Sequence, residues 1–313
     1  MENRQIVIAS LPAGRLAAEN FELRTTPVPE AGDGEVLCRT LVLTIGAGQR
    51  AGLQGSASYA GAPTTGIVMG GTAVARVEAS NAAAVPVGAL VTCPAGWQDY
   101  SVHAAEAVTV VDDDDGDPAH HLGVYGTNGL TAYFGLFAVG EPKPGETVVV
   151  SAAAGSVGHL VGQMAKLADC RAVGVAGSDL KCARLTDELG FDAAVNYRSD
   201  GFRDEFKQAC GKGIDVYFDN TGGDILGAPL RRMRPHGRIV CCGVVSQYDT
   251  DDPAPGPRGV PGLLVNNRVR MQGFLVFDYA DRYAEARAQL KEWVTSGRLV
   301  PWMDEFEGLE RAP

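Results

Sequence analysis

Two closely spaced glycines form the first candidate for a phosphate-binding turn. Gly155 and Gly158 lie in the segment AAAGSVGHLVG, residues 152–162, between the β-branched run ETVVVS and an apolar stretch with helical spacing. A glycine turn between a strand and a helix lets backbone N–H groups approach an anion, and the start of the helix favours negative charge. Because the first glycine of the Gly-x-Gly-x-x-Gly pattern is absent, close packing of the helix on the strand remains the alternative. Within a strand–helix–strand unit, the pattern predicts a dinucleotide site.

The residues after the next strand indicate which dinucleotide is bound. Enzymes that use NAD place an acidic residue at the end of this strand, where it binds the ribose 2′-OH. Here the strand RAVGVA ends in Gly177 and Ser178. Asp179 comes slightly late, and Lys181 and Arg184 follow within one helical turn. A lysine without an acid at the strand end suits a 2′-phosphate, so we expect NADPH. The alternative is that Lys181 is only a surface residue of its helix.

A tyrosine is the first candidate for the reacting end of the site. Tyr248, in CGVVSQYD, follows a β-branched strand, on the side of a doubly wound sheet that binds ligands. A phenol there could donate a hydrogen bond or a proton to a carbonyl oxygen. The histidines show no metal-ligand spacing, so we expect no metal site. These histidines are His103, His120, His121, His159 and His236.

The elements that must position these residues fall into two regions. Up to residue 122, short β-branched runs such as GEVLCRTLVLTI and GTAVARVEAS alternate with turn residues, which is typical of a β-rich domain. From residue 123 to about residue 300, strands alternate with helices, which predicts an α/β fold with a doubly wound parallel sheet. Within the second region we expect a helix over residues 225–237, a loop over 251–262 and a strand over 269–277. Residues 301–313 are expected to return to the first domain.

Composition limits the partners and the compartment. The formal net charge of −11 argues against nucleic acid and anionic membranes as partners, and no apolar run approaches the length of a membrane span. Seven cysteines at irregular spacing, without a secretory leader, predict free thiols in the cytoplasm. Two of them, Cys241 and Cys242, are adjacent, and they are interpreted either as small buried hydrophobes or as reactive thiols.

Several longer segments together resemble one family. NGLTAYFGL, VGVAGSDLKC, YFDNTGG, GRIVCCGVVSQY and GFLVFDY occur in this order, and ENFELRTTPVPEAGDGEVLCRT precedes them. In this combination the chain resembles the zinc-free medium-chain dehydrogenases/reductases, specifically the prostaglandin reductase and NADPH-dependent alkenal double-bond reductase family. The resemblance implies a GroES-like domain, a Rossmann domain and a homodimer. It also implies reduction of a C=C bond conjugated to a carbonyl, by hydride transfer from NADPH to the β-carbon of a small-molecule substrate.

The resemblance also assigns residues to the site. It implies that Tyr248 lies beside the nicotinamide ribose and the substrate carbonyl, and that Thr131 lies near the nicotinamide. Lys181 and Tyr197 would hold the 2′-phosphate. The pyrophosphate would be held by Gly155, Ser156, Val157 and Gly158. The remaining cofactor contacts would be Asn220, Cys242, Gly243, Val244, Val245, Ser246, Phe274, Leu275 and Val276.

The chain departs from the family in the substrate pocket and at its end. Gly48, in TIGAGQR, stands where the family has a tyrosine, and Asn128 stands where it usually has proline. Smaller side chains predict a wider pocket, unless another residue such as Tyr59 fills the space. Family members continue past the equivalent of Pro313 with a helix, a turn and a last strand. We expect either a truncated chain or a cofactor held without the asparagine of that turn.

Three alternatives remain at this point. The chain could be a quinone reductase of the same superfamily, which also needs NADPH and no metal. It could be a zinc-free oxidoreductase that acts on a different bond, since the pocket departs from the family. It could also bind NADPH without turnover as a regulatory module, because a fold does not determine function.

Overall fold

The computed structural model describes residues 1–55, 61–113, 116–250, 252 and 255–313. The backbone divides into two units. The first, called here the antiparallel unit, comprises Met1–Leu122, Tyr248–Asp252 and Asp304–Pro313. The second, called the parallel unit, comprises Gly123–Gln247 and Pro253–Met303. Tyr248 therefore groups with the antiparallel unit, although the strand that precedes it belongs to the parallel unit.

The antiparallel unit is built from short strands of alternating burial. Its strands are β1 (Glu2–Ile8), β2 (Phe21–Pro27), β3 (Glu35–Leu43), β4 (Ala73–Ser80), β5 (Leu90–Cys93), β6 (Tyr100–Ala104) and β7 (Thr109–Val110), and one helix, α1 (Ala47–Gln54), follows β3. In the described residues β1 pairs with β2, and the other strands form an antiparallel sheet in the order β6-β3-β4-β5-β7. Val36 and Cys38 of β3 point into its core while their neighbours are half-buried, as the period of two requires.

The two central strands of the parallel unit are buried almost throughout. Its strands are β8 (Thr147–Val150), β9 (Arg171–Ala176), β10 (Ala193–Asn196), β11 (Ile214–Asp219), β12 (Met233–Cys241) and β13 (Arg270–Gly273). Its helices are α2 (Thr127–Phe134), α3 (Gly158–Leu167), α4 (Asp179–Leu189), α5 (Phe202–Cys210), α6 (Gly227–Leu230), α7 (Val260–Asn267) and α8 (Tyr283–Thr295). The strands are parallel in the order β10-β9-β8-β11-β12-β13. Continuous burial along β8 and β11 shows that helices cover both faces, and the predicted α/β fold class is confirmed.

Three predicted elements differ from the structure. The helix expected over residues 225–237 ends with α6 at Leu230, and β12 already begins at Met233. Pro235 lacks an N–H group and disfavours helical backbone at Arg234, so a helix through residue 237 is unfavourable, and Met233 already pairs with Ile214 of β11. The strand expected over 269–277 ends at Gly273. Residues 260–262 of the expected loop form the start of α7, where Pro261 in the first turn removes no intrahelical hydrogen bond.

Candidate active site

The turn between β8 and α3 places backbone in very close contact. A Cβ atom at Gly158 would lie 2.3 Å from the carbonyl oxygen of Ala152, so only glycine fits there. At Gly155 the same test gives 3.2 Å, a tighter contact than usual but one that a small shift relieves. Ala152 itself has a φ of 46°, in the left-handed region that residues other than glycine rarely adopt. The conformation of this turn therefore requires glycine at position 158.

The same turn offers unused hydrogen-bond donors. Among the described residues, the N–H groups of Ser156 and Val157 donate to no protein acceptor, and Ser156 is exposed. They lie immediately before α3, which begins at Gly158, where the partial positive charge of the helix is concentrated. This arrangement fits a bound pyrophosphate, which needs a close backbone and several N–H donors.

The end of β9 shows how the adenosine side could be recognised. A Cβ atom at Gly177 would lie 3.2 Å from the ring of Tyr197, so the ring packs directly over the end of the strand. Ser178 begins α4, and its hydroxyl oxygen accepts a hydrogen bond from the N–H of Lys181 at 3.3 Å. The carboxylate of Asp179 accepts a hydrogen bond from the side chain of Asn196 at 2.8 Å. The acid is therefore already engaged, while Lys181 is exposed on the first turn of α4.

A second cation near this point was missed by the sequence analysis. The guanidinium of Arg198 lies 5.5 Å from the centre of the Tyr197 ring, and its Nε donates to the tyrosine hydroxyl at 3.3 Å. With Lys181 it supplies positive charge where an acidic residue would stand in an enzyme that binds NAD. Its position directly after Tyr197 in the sequence was the available signal.

Asn220 is held rigidly at the carboxyl end of β11. Its backbone N–H donates to the hydroxyl of Ser151 at 2.9 Å, and its side-chain amide donates to the carbonyl of Ser151 at 2.8 Å. The carboxylate of Asp219 is buried and accepts hydrogen bonds from the Ser151 hydroxyl at 3.1 Å, the N–H of Thr221 at 3.1 Å and the N–H of Gly222 at 3.0 Å. β8 and β11 are neighbours where the strand order reverses, the usual ligand position in such sheets.

The segment after β12 is brought to the same place. The N–H of Val245 donates to the carbonyl of Asn220 at 3.2 Å, and the hydroxyl of Ser246 donates to the carbonyl of Thr221 at 2.6 Å. A Cβ atom at Gly243 would lie 3.2 Å from the Asn220 carbonyl oxygen. Val244, Val245 and Ser246 are exposed, so the structure groups residues 242–246 with Asn220 and leaves their side chains accessible.

The adjacent cysteines have perturbed acidity. Burial, assisted by the charge of Asp219, raises the pKa of Cys241 to about 11, and the same causes raise that of Cys242 to about 12. Thiols with such a pKa are almost entirely protonated at neutral pH and are poor nucleophiles. Cys241 and Cys242 are half-buried, and their raised pKa values favour unreactive thiols over reactive ones.

The remaining predicted cofactor residues are carried by other elements. Thr131 and Asn128 are half-buried on α2, and residues 274–276 follow β13. A Cβ atom at Gly135, next after α2, would lie 2.6 Å from the Phe274 ring, so Phe274 packs against the end of the helix that carries Thr131. Val276 is buried and Leu275 is exposed. These residues form a second group beside α2.

In the antiparallel unit, Tyr248 is half-buried and is followed by a strongly bonded carboxylate. Asp249 accepts a hydrogen bond from the N–H of Leu16 at 2.5 Å and another from Nε of Arg50 at 3.2 Å. The Leu16 N–H, and then Arg50, lower the pKa of Asp249. Gly48 is exposed in the first turn of α1.

A cavity of about 350 Å³ lies in the same unit and has mainly apolar walls. Its lining includes Phe21, Ile45, Leu53, Met69 and Trp97, together with Gly46, Gln49 and Arg50 of the α1 segment. Gly48 is not among the described residues that line it. The predicted pocket residue Tyr59 lies outside the described residues.

The described residues offer neither a metal-binding cluster nor a helix that could span a membrane. Within the described ranges, no group of three or more His, Cys, Asp or Glu side chains could hold a metal ion. Across that same part of the chain, each helix is too short or too polar to cross a lipid bilayer.

Comparison with known proteins gives a consistent result over the whole chain. Residues 4–111 match a family described as the N-terminal domain of oxidoreductase, and residues 156–292 match one described as zinc-binding dehydrogenase. An NADPH-dependent curcumin reductase from Escherichia coli is 39% identical over 99% of this chain and 91% of its own length. Prostaglandin reductase 1 from Bos taurus is 39% identical over 94% of this chain and 88% of its own. The crystal structure of CurA in complex with NADPH from Vibrio vulnificus has a TM-score of 0.94 at 38% identity, covering 99% of this chain and 93% of that one.

Proposed function

The chain belongs to the zinc-independent medium-chain dehydrogenases/reductases, and we propose that it reduces the C=C bond of α,β-unsaturated carbonyl compounds. It is an oxidoreductase that uses NADPH. The observation that carries the proposed reaction is the similarity, over nearly the whole chain, to NADPH-dependent curcumin reductase and to prostaglandin reductase 1. The glycine turn supports the cofactor, because Gly158 admits no side chain and the Ser156 and Val157 N–H groups are unused among the described residues.

The parallel unit would hold the cofactor through its own backbone and two basic side chains. We assign the pyrophosphate to residues 155–158 and the 2′-phosphate to Lys181 and Tyr197, with Arg198 as an added contact. Asn220 and residues 242–246 would orient the nicotinamide side, together with Thr131 and residues 274–276. NADPH, when bound, supplies the hydride. The residues named here bind it, fix its orientation and keep its charge compensated.

The substrate side is assigned to Tyr248. During hydride transfer to the β-carbon, negative charge grows on the carbonyl oxygen of the substrate. A hydrogen bond from the Tyr248 hydroxyl would stabilise that oxygen, and a proton from water or from Tyr248 would reach the α-carbon. Gly48, which has no side chain, suits a wide pocket and hence bulky enones such as aryl or cyclic ones, and Asn128 stays a predicted pocket residue. Tyr59 stays a predicted pocket residue.

The test is NADPH consumption by the purified protein with enals, aryl enones, cyclic enones and quinones, with NADH in parallel. Saturated ketones or aldehydes identified by mass and NMR, with a strong preference for NADPH, are the expected result. Turnover of quinones alone would support the quinone reductase alternative. Tight NADPH binding without turnover of any compound would overturn the proposal and support a non-catalytic cofactor-binding module.

We also infer a homodimer in the cytoplasm. Support for the dimer comes from β13, which is the last strand of the described sheet, and from nearby apolar exposure at Val265 (73%) and Leu275 (40%). A sheet edge of this kind is a common pairing surface. The seven cysteines are free, which suits a reducing compartment. Light scattering during gel filtration tests the dimer, and a mass near 32.8 kDa, that of a single chain, would contradict it.

A further inference from the structure

His159 is a buried histidine with both ring nitrogens in use. It lies on the first turn of α3 and is 3% exposed. The backbone N–H of Trp302 donates to its Nε2 at 3.0 Å, so Nε2 carries no proton. The proton is therefore on Nδ1, which lies 2.8 Å from the carbonyl oxygen of Gly155 and donates to it. Burial lowers the pKa of His159, in keeping with this neutral form.

The hydrogen bond to Gly155 fixes a peptide group of the phosphate-binding turn. The carbonyl of Gly155 and the N–H of Ser156 belong to one planar trans peptide, so they point in opposite directions. The same carbonyl also accepts the backbone N–H of His159 at 3.1 Å. Holding this carbonyl toward His159 turns the Ser156 N–H away from the helix. Among the described residues, that N–H, like the N–H of Val157, donates to no protein acceptor.

A short segment of chain supports His159 from behind. The Gln163 side chain, one helical turn later, accepts from the N–H of Val300 at 2.8 Å and donates to its carbonyl at 3.0 Å. The ring of Trp302 stacks on the His159 ring, with centres 5.9 Å apart and planes 11° apart. The guanidinium of Arg184, on α4, lies 4.2 Å from the centre of the Trp302 ring. Residues 300–302, called here the strap, therefore contact both α3 and α4.

We propose that His159 and the strap are positioning elements for NADPH: they hold the Ser156 N–H toward the pyrophosphate and keep the first turns of α3 and α4 in fixed relation. Their role rests on the cofactor site assigned above. His159 acts through the peptide of Gly155 and does not itself contact the cofactor. Trp302 acts through His159 on one helix and through Arg184 on the other, and Lys181 lies one turn before Arg184.

The experiment compares NADPH with 2′-AMP, a fragment that keeps the 2′-phosphate but lacks the pyrophosphate. His159→Leu removes both ring hydrogen bonds, and we expect the Kd of NADPH to rise about tenfold, the effect of one lost hydrogen bond to a charged ligand. The Kd of 2′-AMP should stay within about twofold, and kcat at saturating NADPH should change little. His159→Gln, which can donate and accept at similar positions, should restore most of the NADPH affinity. Isothermal titration calorimetry measures both ligands.

Trp302→Leu and Trp293→Leu form the matched pair. Trp293 packs against Tyr133 and Phe137 in the same unit, so its replacement removes an equal side chain elsewhere. We expect Trp302→Leu to weaken NADPH at least threefold and Trp293→Leu to leave its Kd within twofold. If His159→Leu does not fold, the two tryptophan variants and His159→Gln still test whether His159 and the strap position the turn for NADPH. Equal weakening of NADPH and 2′-AMP in His159→Leu, or equal effects of the two tryptophan variants, would overturn the positioning role.

The same measurements separate this inference from the proposed function. Binding of NADPH and 2′-AMP does not depend on any enone. A wild-type protein that binds both ligands but reduces no enone would contradict the proposed reaction. The positioning role of His159 and the strap could still be tested by the binding measurements. A protein that binds NADPH no more tightly than NADH would contradict the assignment of the 2′-phosphate site.

Discussion

At the scale of single residues, the segment that carries Tyr248 is fixed by its neighbour. Asp249 has a φ of 60°, which is uncommon outside glycine, and its carboxylate accepts hydrogen bonds from Leu16 and Arg50. The Nη2 of Arg50 also donates to the carbonyl of Gly14. These contacts hold the backbone next to Tyr248 through Asp249. The substitution Tyr248→Phe leaves the side chains of Asp249 and Arg50 unchanged.

Tyr248→Phe should lower kcat with the preferred enone by about tenfold or more and leave the Kd of NADPH within twofold. The loss of one donor to a developing oxyanion typically has an effect of this size or larger. Stopped-flow measurement of NADPH oxidation under single-turnover conditions checks it. Tyr100→Phe, a change of the same kind on β6, is the control and should behave as wild type. An unchanged rate in Tyr248→Phe would exclude the assigned role.

Lys181 carries the prediction of cofactor choice. Lys181→Ala should raise the KM for NADPH about tenfold and leave that for NADH within twofold, because a charge-assisted hydrogen bond is made only to the 2′-phosphate. Lys207→Ala, another exposed lysine of the parallel unit, is the control. Steady-state kinetics with both cofactors provide the comparison. If Lys181→Ala raised the KM for NADPH and for NADH equally, the assignment of the 2′-phosphate to Lys181 on α4 would be wrong.

At the scale of elements, the turn between β8 and α3 makes a graded prediction. Gly158→Ala should abolish measurable NADPH binding and lower the melting temperature, because its Cβ would lie 2.3 Å from a backbone oxygen that cannot move away cheaply. Gly155→Ala should fold normally and bind NADPH less tightly, since its Cβ would lie 3.2 Å from the same oxygen. Calorimetric melting and NADPH titration test the pair. If the two variants were equally impaired, the close approach at Gly158 would not be the decisive feature.

Local patterns could predict this turn because the information lies in adjacent residues. β-Branched runs marked β8, β9 and β11, and glycine marked the turn between β8 and α3. The helix expected over 225–237 failed where Pro235 and pairing with β11 overrode helical spacing. Likewise the loop expected over 251–262 includes the first three residues of α7, because their proline and glycine mask the start of an apolar helix whose first turn tolerates proline.

Contacts between distant residues could not be predicted. Ser151 and Asp219 are 68 residues apart, and their hydrogen bond helps to fix Asn220. Asp219 lies in YFDNTGG and Ser151 ends ETVVVS, yet neither segment indicates that the two side chains meet. His159 and Trp302 are 143 residues apart, and the histidine was noted only for its lack of metal-ligand spacing. Arg198 was passed over although it follows Tyr197 directly. The first two contacts join residues that only the folded parallel unit brings together, so their partners become visible only in three dimensions.

At the scale of the whole molecule, one histidine in each unit makes the free energy of unfolding depend on pH. Burial lowers the pKa of His159 in the parallel unit and of His103 in the antiparallel unit. Nε2 of His103 lies 2.8 Å from the hydroxyl of Ser101, so this ring is also hydrogen-bonded. A base whose pKa is lower in the folded state binds fewer protons there than in the unfolded chain, so acid favours unfolding.

The free energy of unfolding should therefore be greatest above the ordinary histidine pKa of about 6.5 and should fall as the pH drops from there through the lowered values. Each histidine can contribute a slope of at most about 1.4 kcal/mol per pH unit. Urea unfolding at several pH values between about 7.5 and 5 measures the slope, and His159→Gln combined with His103→Gln should flatten it.

The carboxylate of Asp249, whose pKa is lowered, loses its contribution only below the ordinary aspartate value of about 4. A slope that the double variant leaves unchanged would assign the acid sensitivity to other groups. If His159→Gln alone removed the slope, the acid sensitivity would lie in α3, the helix that follows the phosphate-binding turn. Protonation of His159 there would replace the hydrogen bond from the Trp302 N–H to Nε2 with a repulsive contact between two donors.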